Sequence, residues 1–297
     1  MKPVEPIDTI ELFPPLSRRL IAMLRTLWPG EWNRPTACAP WTVKDVAAHL
    51  LGGNFSRLWG HHEAEKPAAD LIEDYDDLVE FINRENAQWV RAARRISPMM
   101  LVELLDLTDR RLYDHFKGLD PNQLARISVG WASSDLAPNW FDVAREYTEK
   151  WLHQQHIRQA AGWPLLTERE WLHPVFDTFV RGLPRAYRGL EALAGASVTL
   201  QITGRAGGEW TLVRVAEHPV GANGVAEHPV GANREESVWQ LFAGDDPGAG
   251  CYIQIDQDTA WRLFTKGISP DEARSQATLT GDPALGEPAL HMISIMA

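Results

Sequence analysis

The feature that most constrains this 297-residue chain is a change of hydrophobic period near residue 195. Before it, apolar residues recur every three to four positions. After it, apolar and polar residues alternate in short runs between Gly-rich turns. The clearest helical stripe is Val43, Val46, Ala47, Leu50 and Leu51, an i, i+3, i+4, i+7, i+8 pattern. Thr42 and Asp45 stand ahead of it at capping-box spacing, with Asp in place of Glu. Other helices are expected from Leu16 to Leu27, stopping at Trp28-Pro29-Gly30, and over 71–95, 98–117, 138–161 and 170–193. The stretch 118–137, with Gly118, Pro121 and Gly130, is expected to be a long loop.

Beyond residue 195, strands are expected over Ser197–Thr203, Glu209–Val215, 236–242 and 250–256. Helices follow at 257–266 and 270–276, then a short strand at 277–280 and a last helix at 282–296. Runs of strands followed by helices imply α+β rather than a repeated βαβ unit. Two domains are therefore expected: an all-α bundle over 1–194 and an α+β domain over 195–297. One repeat is exact, because Val215-Ala-Glu-His-Pro-Val-Gly-Ala-Asn223 recurs as Val225–Asn233. It reads as a lengthened surface loop, a simpler account than paired metal binding by His218 and His228.

Forty acidic against twenty-nine basic residues give a net charge of −11, which argues against non-specific nucleic-acid binding. No apolar run approaches the roughly 20 residues of a membrane span. The first residues carry acids and prolines where a signal peptide needs a basic start, so a cytoplasmic location is expected. Two cysteines, Cys38 and Cys251, offer neither a disulfide framework nor a CxxC metal site.

The segment richest in chemistry is Glu146-Tyr-Thr-Glu-Lys-Trp-Leu-His-Gln-Gln-His-Ile-Arg158. Glu149 and His153, four apart, share one helix face, and His156 lies on the same stripe. A carboxylate and an imidazole one turn apart can chelate a zinc-like ion. On spacing alone, a solvated pair is the commoner outcome. His49 sits inside the apolar helix that follows Trp41, where a lone histidine is most often a core residue. Gly52 and Gly53 leave space near it, and a bundle could bring it against Glu149 and His153.

These motifs carry a resemblance. Trp32, Pro35-Thr-Ala-Cys38, Trp41-Thr-Val-Lys-Asp-Val-Ala-Ala-His-Leu50 and Glu149-Lys-Trp-Leu-His153-Gln-Gln-His156-Ile-Arg158 resemble the DinB-like metal-binding superfamily. Within it, they are most similar to the mycothiol-dependent maleylpyruvate isomerase family. Asp258–Lys266 and Thr280–Leu285 are similar to that family's small C-terminal domain, itself sterol-carrier-like. The resemblance implies an N-terminal four-helix bundle with a divalent metal, usually zinc, on His49, Glu149 and His153. The position of His156 is more often acidic in such motifs, which leaves it as a supporting residue, a substrate contact or a substitute ligand.

Three protein ligands leave zinc an open position, which can serve to ionise water or to hold a thiol as thiolate. The resemblance favours the thiol, with mycothiol as cofactor and a dicarboxylate or other small-molecule electrophile as substrate. The implied reaction is thiolate addition to maleylpyruvate, rotation and elimination to fumarylpyruvate. Developing negative charge calls for preorganised cations, and Arg57, Arg158 and Arg262 are the candidates. Two further readings stand beside this one. The first is a thiol S-transferase or metal hydrolase on the same scaffold, and the second a non-catalytic ligand carrier with a structural metal. A monomer is expected. Cys38 is expected to pack rather than react, since no base stands near it in sequence. His61-His62 could favour the end of their helix, and Glu73–Asp77 reads as a solvated acidic helix start. His115 and His173 lack patterned partners, and His291 reads as a core or interface residue. No Gly-rich phosphate loop or GxSxG elbow is present.

Overall fold

The computed structural model describes residues 1–60, 75–133, 135–215 and 239–295. It contains helices and one mixed sheet, divided between two compact units. One comprises residues 8–121 and 143–166, and the other 1–7, 122–142 and 167–295. The division does not fall at 194/195, because residues 167–194 belong to the sheet-bearing unit. The helices also depart from expectation there. In place of one helix over 170–193 stands α6 (Arg169–Phe179), then a single 3-10 turn and the short α7 (Leu183–Ala186). Pro184, in the first turn of α7, has no N–H to continue a ladder from α6.

The helical unit is built on α1 (Phe13–Leu24), α2 (Val43–Phe55), α3 (Tyr75–Ala93), α4 (Pro98–Lys117) and most of α5 (Asn139–Ala161). The expected stripe of α2 is buried, and its core also takes Leu20 and Leu24 from α1, Leu101 and Leu105 from α4 and Ile157 from α5. The capping box at Thr42 forms in both directions: the Asp45 amide donates to Thr42 Oγ1, and the Thr42 amide to the Asp45 carboxylate. Arg94 adds two bonds to that carboxylate, at 2.9 and 3.1 Å. Burial works against the Asp45 charge, but Arg94 and Thr42 outweigh it and hold its pKa below the usual range.

A buried polar cluster ties four helices. Lys150 on α5 donates to Asp109 on α4 at 3.0 Å and to Asn54 on α2. Asp109 also accepts from Ser17 on α1 at 2.6 Å and from Asn54 at 2.8 Å. These bonds set the rotation of α5 against α2, and with it the face that carries Glu149 and His153.

In the other unit the sheet order is β1 (Lys2–Pro3), β6 (Trp239–Ala243), β5 (Gly208–Arg214), β4 (Ser197–Thr203), β7 (Cys251–Asp256) and β8 (Thr278–Gly281). Among the described strands, only β4 and β7 run parallel. Val198, Leu200 and Ile202 alternate inward, opposite Leu212, Trp210 and Gly208 on β5 and Cys251, Ile253 and Ile255 on β7. α8 (Gln257–Phe264), α9 (Pro270–Gln276) and α10 (Pro283–Leu290) complete the unit.

The last helix ends at Leu290, not 296, and holds Pro288 within its final turn. The expected loop 118–137 contains a two-stranded antiparallel ribbon, β2 (Leu124–Ser128) with β3 (Leu136–Pro138). That ribbon and the two-residue β1 at the sheet edge are too short to show an alternation in sequence. The 216–233 part of the duplication, His61, His62, Glu73 and Asp74 lie outside the described residues. Among those described, no helix is long and apolar enough to cross a membrane.

Candidate metal centre

α2 presents His49 and α5 presents Glu149 and His153, all within the helical unit. One donor atom from each lies within 4.8 Å of the others. Glu149 Oε2 stands 3.4 Å from His153 Nε2. Two ligands on one tetrahedral ion, each at about 2.1 Å, stand about 3.4 Å apart, so this pair already has the right bite. The His49 and His153 rings meet edge to face at 4.5 Å between centroids, and Trp41 lies over His49 at 5.0 Å.

His49 Nδ1 is buried with no hydrogen-bond partner among the described residues. An orphaned imidazole nitrogen beside a carboxylate and a second imidazole is what a cation would satisfy. Burial, then the neighbouring His153, takes the His49 pKa down to about 3, so its ring is neutral at pH 7 as a ligand must be. Burial also opposes charge on His153, but Cys38 and Glu149 outweigh it and take its pKa up to about 9. The residues present therefore fit a divalent cation held by N, O and N donors.

The glycines of α2 do not open the space expected of them. A Cβ on Gly52 would stand 2.5 Å from Trp89 Cδ1, because the indole lies on the helix there and donates from Nε1 to Ala48 O at 2.7 Å. Gly53 faces Glu146 instead, at 3.9 Å.

Arg57, in the π-helical turn Ser56–Gly60 that directly follows α2, donates to Glu146 on α5 at 3.1 Å, and Arg145 donates to the same oxygen at 2.8 Å. Glu146 is close enough to act on the charge of His49. Arg158 donates to Pro164 O at 2.8 Å, beyond the end of α5. Arg262, in the other unit, pairs with Asp258 at 2.9 Å and lies over the Trp261 ring. His173 contacts Ala206 O at 3.0 Å and stacks on Trp210.

Cys38 has a base beside it after all. Its Sγ lies 2.9 Å from His156 Nδ1 and 3.9 Å from His153 Nδ1. The contact joins positions 118 apart in sequence, which no local pattern reveals. Local pattern also does not mark Glu146 and Lys150 as site residues. The spacing Glu146-x-x-Glu149-x-x-x-His153, three carboxylate or imidazole side chains on one face, was the available signal for Glu146.

Residues 13–158 match the family model described as the mycothiol maleylpyruvate isomerase N-terminal domain. Two solved structures are similar to the chain: the mycothiol-dependent maleylpyruvate isomerase and a histidine-to-alanine mutant of it. Each aligns over 86% of this chain and 86% of its own, at 11% and 10% identity, with TM-scores of 0.45 and 0.47 respectively. No curated protein matches. The stretch that matches the mycothiol maleylpyruvate isomerase N-terminal domain model holds His49, Glu149 and His153 together.

Proposed function

We propose that the chain is a metal-dependent, mycothiol-using enzyme of the maleylpyruvate isomerase type, acting as a cytoplasmic monomer. The observation that carries the reading is the convergence of His49, Glu149 and His153 inside the matched segment. In this reading those three residues hold a divalent ion, zinc by the N, O, N donor set. The ion supplies Lewis acidity and keeps a bound thiol deprotonated.

Reversible thiol addition to the cis double bond of maleylpyruvate makes it a rotatable single bond. Elimination after rotation leaves fumarylpyruvate, with no net gain of atoms. The protein's own groups orient this chemistry. Glu149 stands against His153 Nε2, and Trp41 walls one side of His49. Arg57, held beside α5 by Glu146, is the cation we place on the substrate carboxylates, where negative charge develops. Arg158 and Arg262 are not used in this reading. We propose a four-helix DinB-like bundle as the scaffold, with a sterol-carrier-like second domain.

The test is calorimetric titration of mycothiol into the zinc-loaded full-length chain, followed by turnover of maleylpyruvate. Metal-dependent binding is expected, and Glu149→Ala should lose both bound zinc and thiol binding. Wild-type protein that ignores mycothiol, or a Glu149→Ala protein that keeps both properties, overturns the reading.

A further inference from the structure

His153 faces two groups at once, through different nitrogens. Nε2 turns to Glu149 at 3.4 Å, and Nδ1 turns to Cys38 Sγ at 3.9 Å. Cys38 Sγ also lies 2.9 Å from His156 Nδ1, and the donor atoms of Cys38, His153 and His156 all fall within 4.8 Å of one another. This second cluster uses neither His49 nor Glu149. The loop before α2 holds Cys38 in place: the Thr36 amide and hydroxyl both donate to Trp41 O, the Cys38 amide donates to Thr36 Oγ1, and the Trp41 amide donates to Cys38 O. Both histidines are nine-tenths buried, and Cys38 is half-buried.

We propose that Cys38, His153 and His156 form a second metal position, specific for thiophilic ions such as zinc, cadmium or copper(I). A sulfur and two imidazole nitrogens suit such ions and not magnesium or calcium. On a tetrahedral ion, sulfur at about 2.3 Å and nitrogen at about 2.1 Å stand about 3.5 Å apart. The two observed sulfur–nitrogen separations, 2.9 and 3.9 Å, bracket that value, each within about half an ångström of it. On binding, the Cys38 thiol and any protonated ligating imidazole nitrogen release their protons to solvent, and sulfur and both nitrogens donate lone pairs to the ion, with no change of oxidation state. The two positions share the His153 ring but not a ring nitrogen.

The proposal rests on the metal reading above only through His153, and its test separates the two. Cadmium is titrated into metal-free full-length protein, the ultraviolet thiolate-to-cadmium absorption is followed, and bound metal is counted by native mass spectrometry. Wild type is expected to develop the absorption and saturate at one thiolate-bound ion per chain. Cys38→Ser should abolish it although Cys251 remains, and His156→Ala should weaken cadmium binding at least tenfold. His49→Ala, which removes a ligand of the first set alone, should leave the absorption intact. The proposal fails if wild type shows no such absorption, if it survives Cys38→Ser, or if it disappears in a folded His49→Ala protein.

Discussion

Asp109→Ala is the most exacting test of how this fold holds its site. The carboxylate pairs with Lys150 at 3.0 Å and accepts from Ser17 and Asn54, and both members of the ion pair are more than nine-tenths buried. Removing one partner leaves a buried ammonium with only Asn54 as acceptor, a change that costs about 3–5 kcal/mol. For a unit of this size each kcal/mol lowers Tm by about 2–4 °C, so a drop of about 6–20 °C is expected. Urea unfolding followed by tryptophan fluorescence measures the loss, and calorimetry gives Tm. The control is Asp109→Leu with Lys150→Met, which removes both charges and fills the space. Buried pairs exchanged in this way are often neutral or stabilising, so the double variant should recover most of the lost stability. Because Lys150 follows Glu149 on α5, Asp109→Ala should also weaken zinc binding. A single variant within about 1 kcal/mol of wild type, or a double variant no better than the single, would refute the reasoning.

Two adjacent glycines should respond with opposite signs. Gly52→Ala forces Trp89 to move about 1 Å to regain contact distance. Overpacking of about 1–3 kcal/mol and a strained Trp89–Ala48 bond outweigh the roughly 1 kcal/mol gained in helix propensity. Gly53→Ala meets nothing closer than Glu146 Oε1 at 3.9 Å and should stabilise by up to about 1 kcal/mol; paired denaturant curves that show the same sign would contradict this. Zinc uptake should release a proton, since metal-free His153 holds one up to a pKa of about 9 while His49 is already neutral. Apparent affinity should therefore rise with pH through the neutral range and level off near 9. Calorimetry in buffers of different ionisation enthalpy checks this, and a flat pH profile with no proton release would exclude it.

What local pattern determines, the sequence showed. The α2 stripe and its capping box, the extents of α4 and α5, and the i, i+4 placement of Glu149 and His153 all depend on residues within one or two turns. Even the alternation in β4 is local, because each side chain's face follows from strand geometry. The features decided in three dimensions join distant positions. β1 and the β2–β3 ribbon exist because of pairing partners, not because of propensity. Residues 167–194 packed with the sheet because their apolar face found it, a choice no helical period encodes. The space beside α2 went to Trp89, so the glycines seat an indole instead of opening a cavity. The meeting of His49 with Glu149 and His153 needed α2 and α5 side by side, with Lys150, Asp109, Asn54 and Ser17 fixing their rotation. Cys38 gained His156 as a neighbour only after a loop and a helix more than a hundred residues apart came together. Spacing along the chain chooses which side chains share a face, and packing chooses which faces meet.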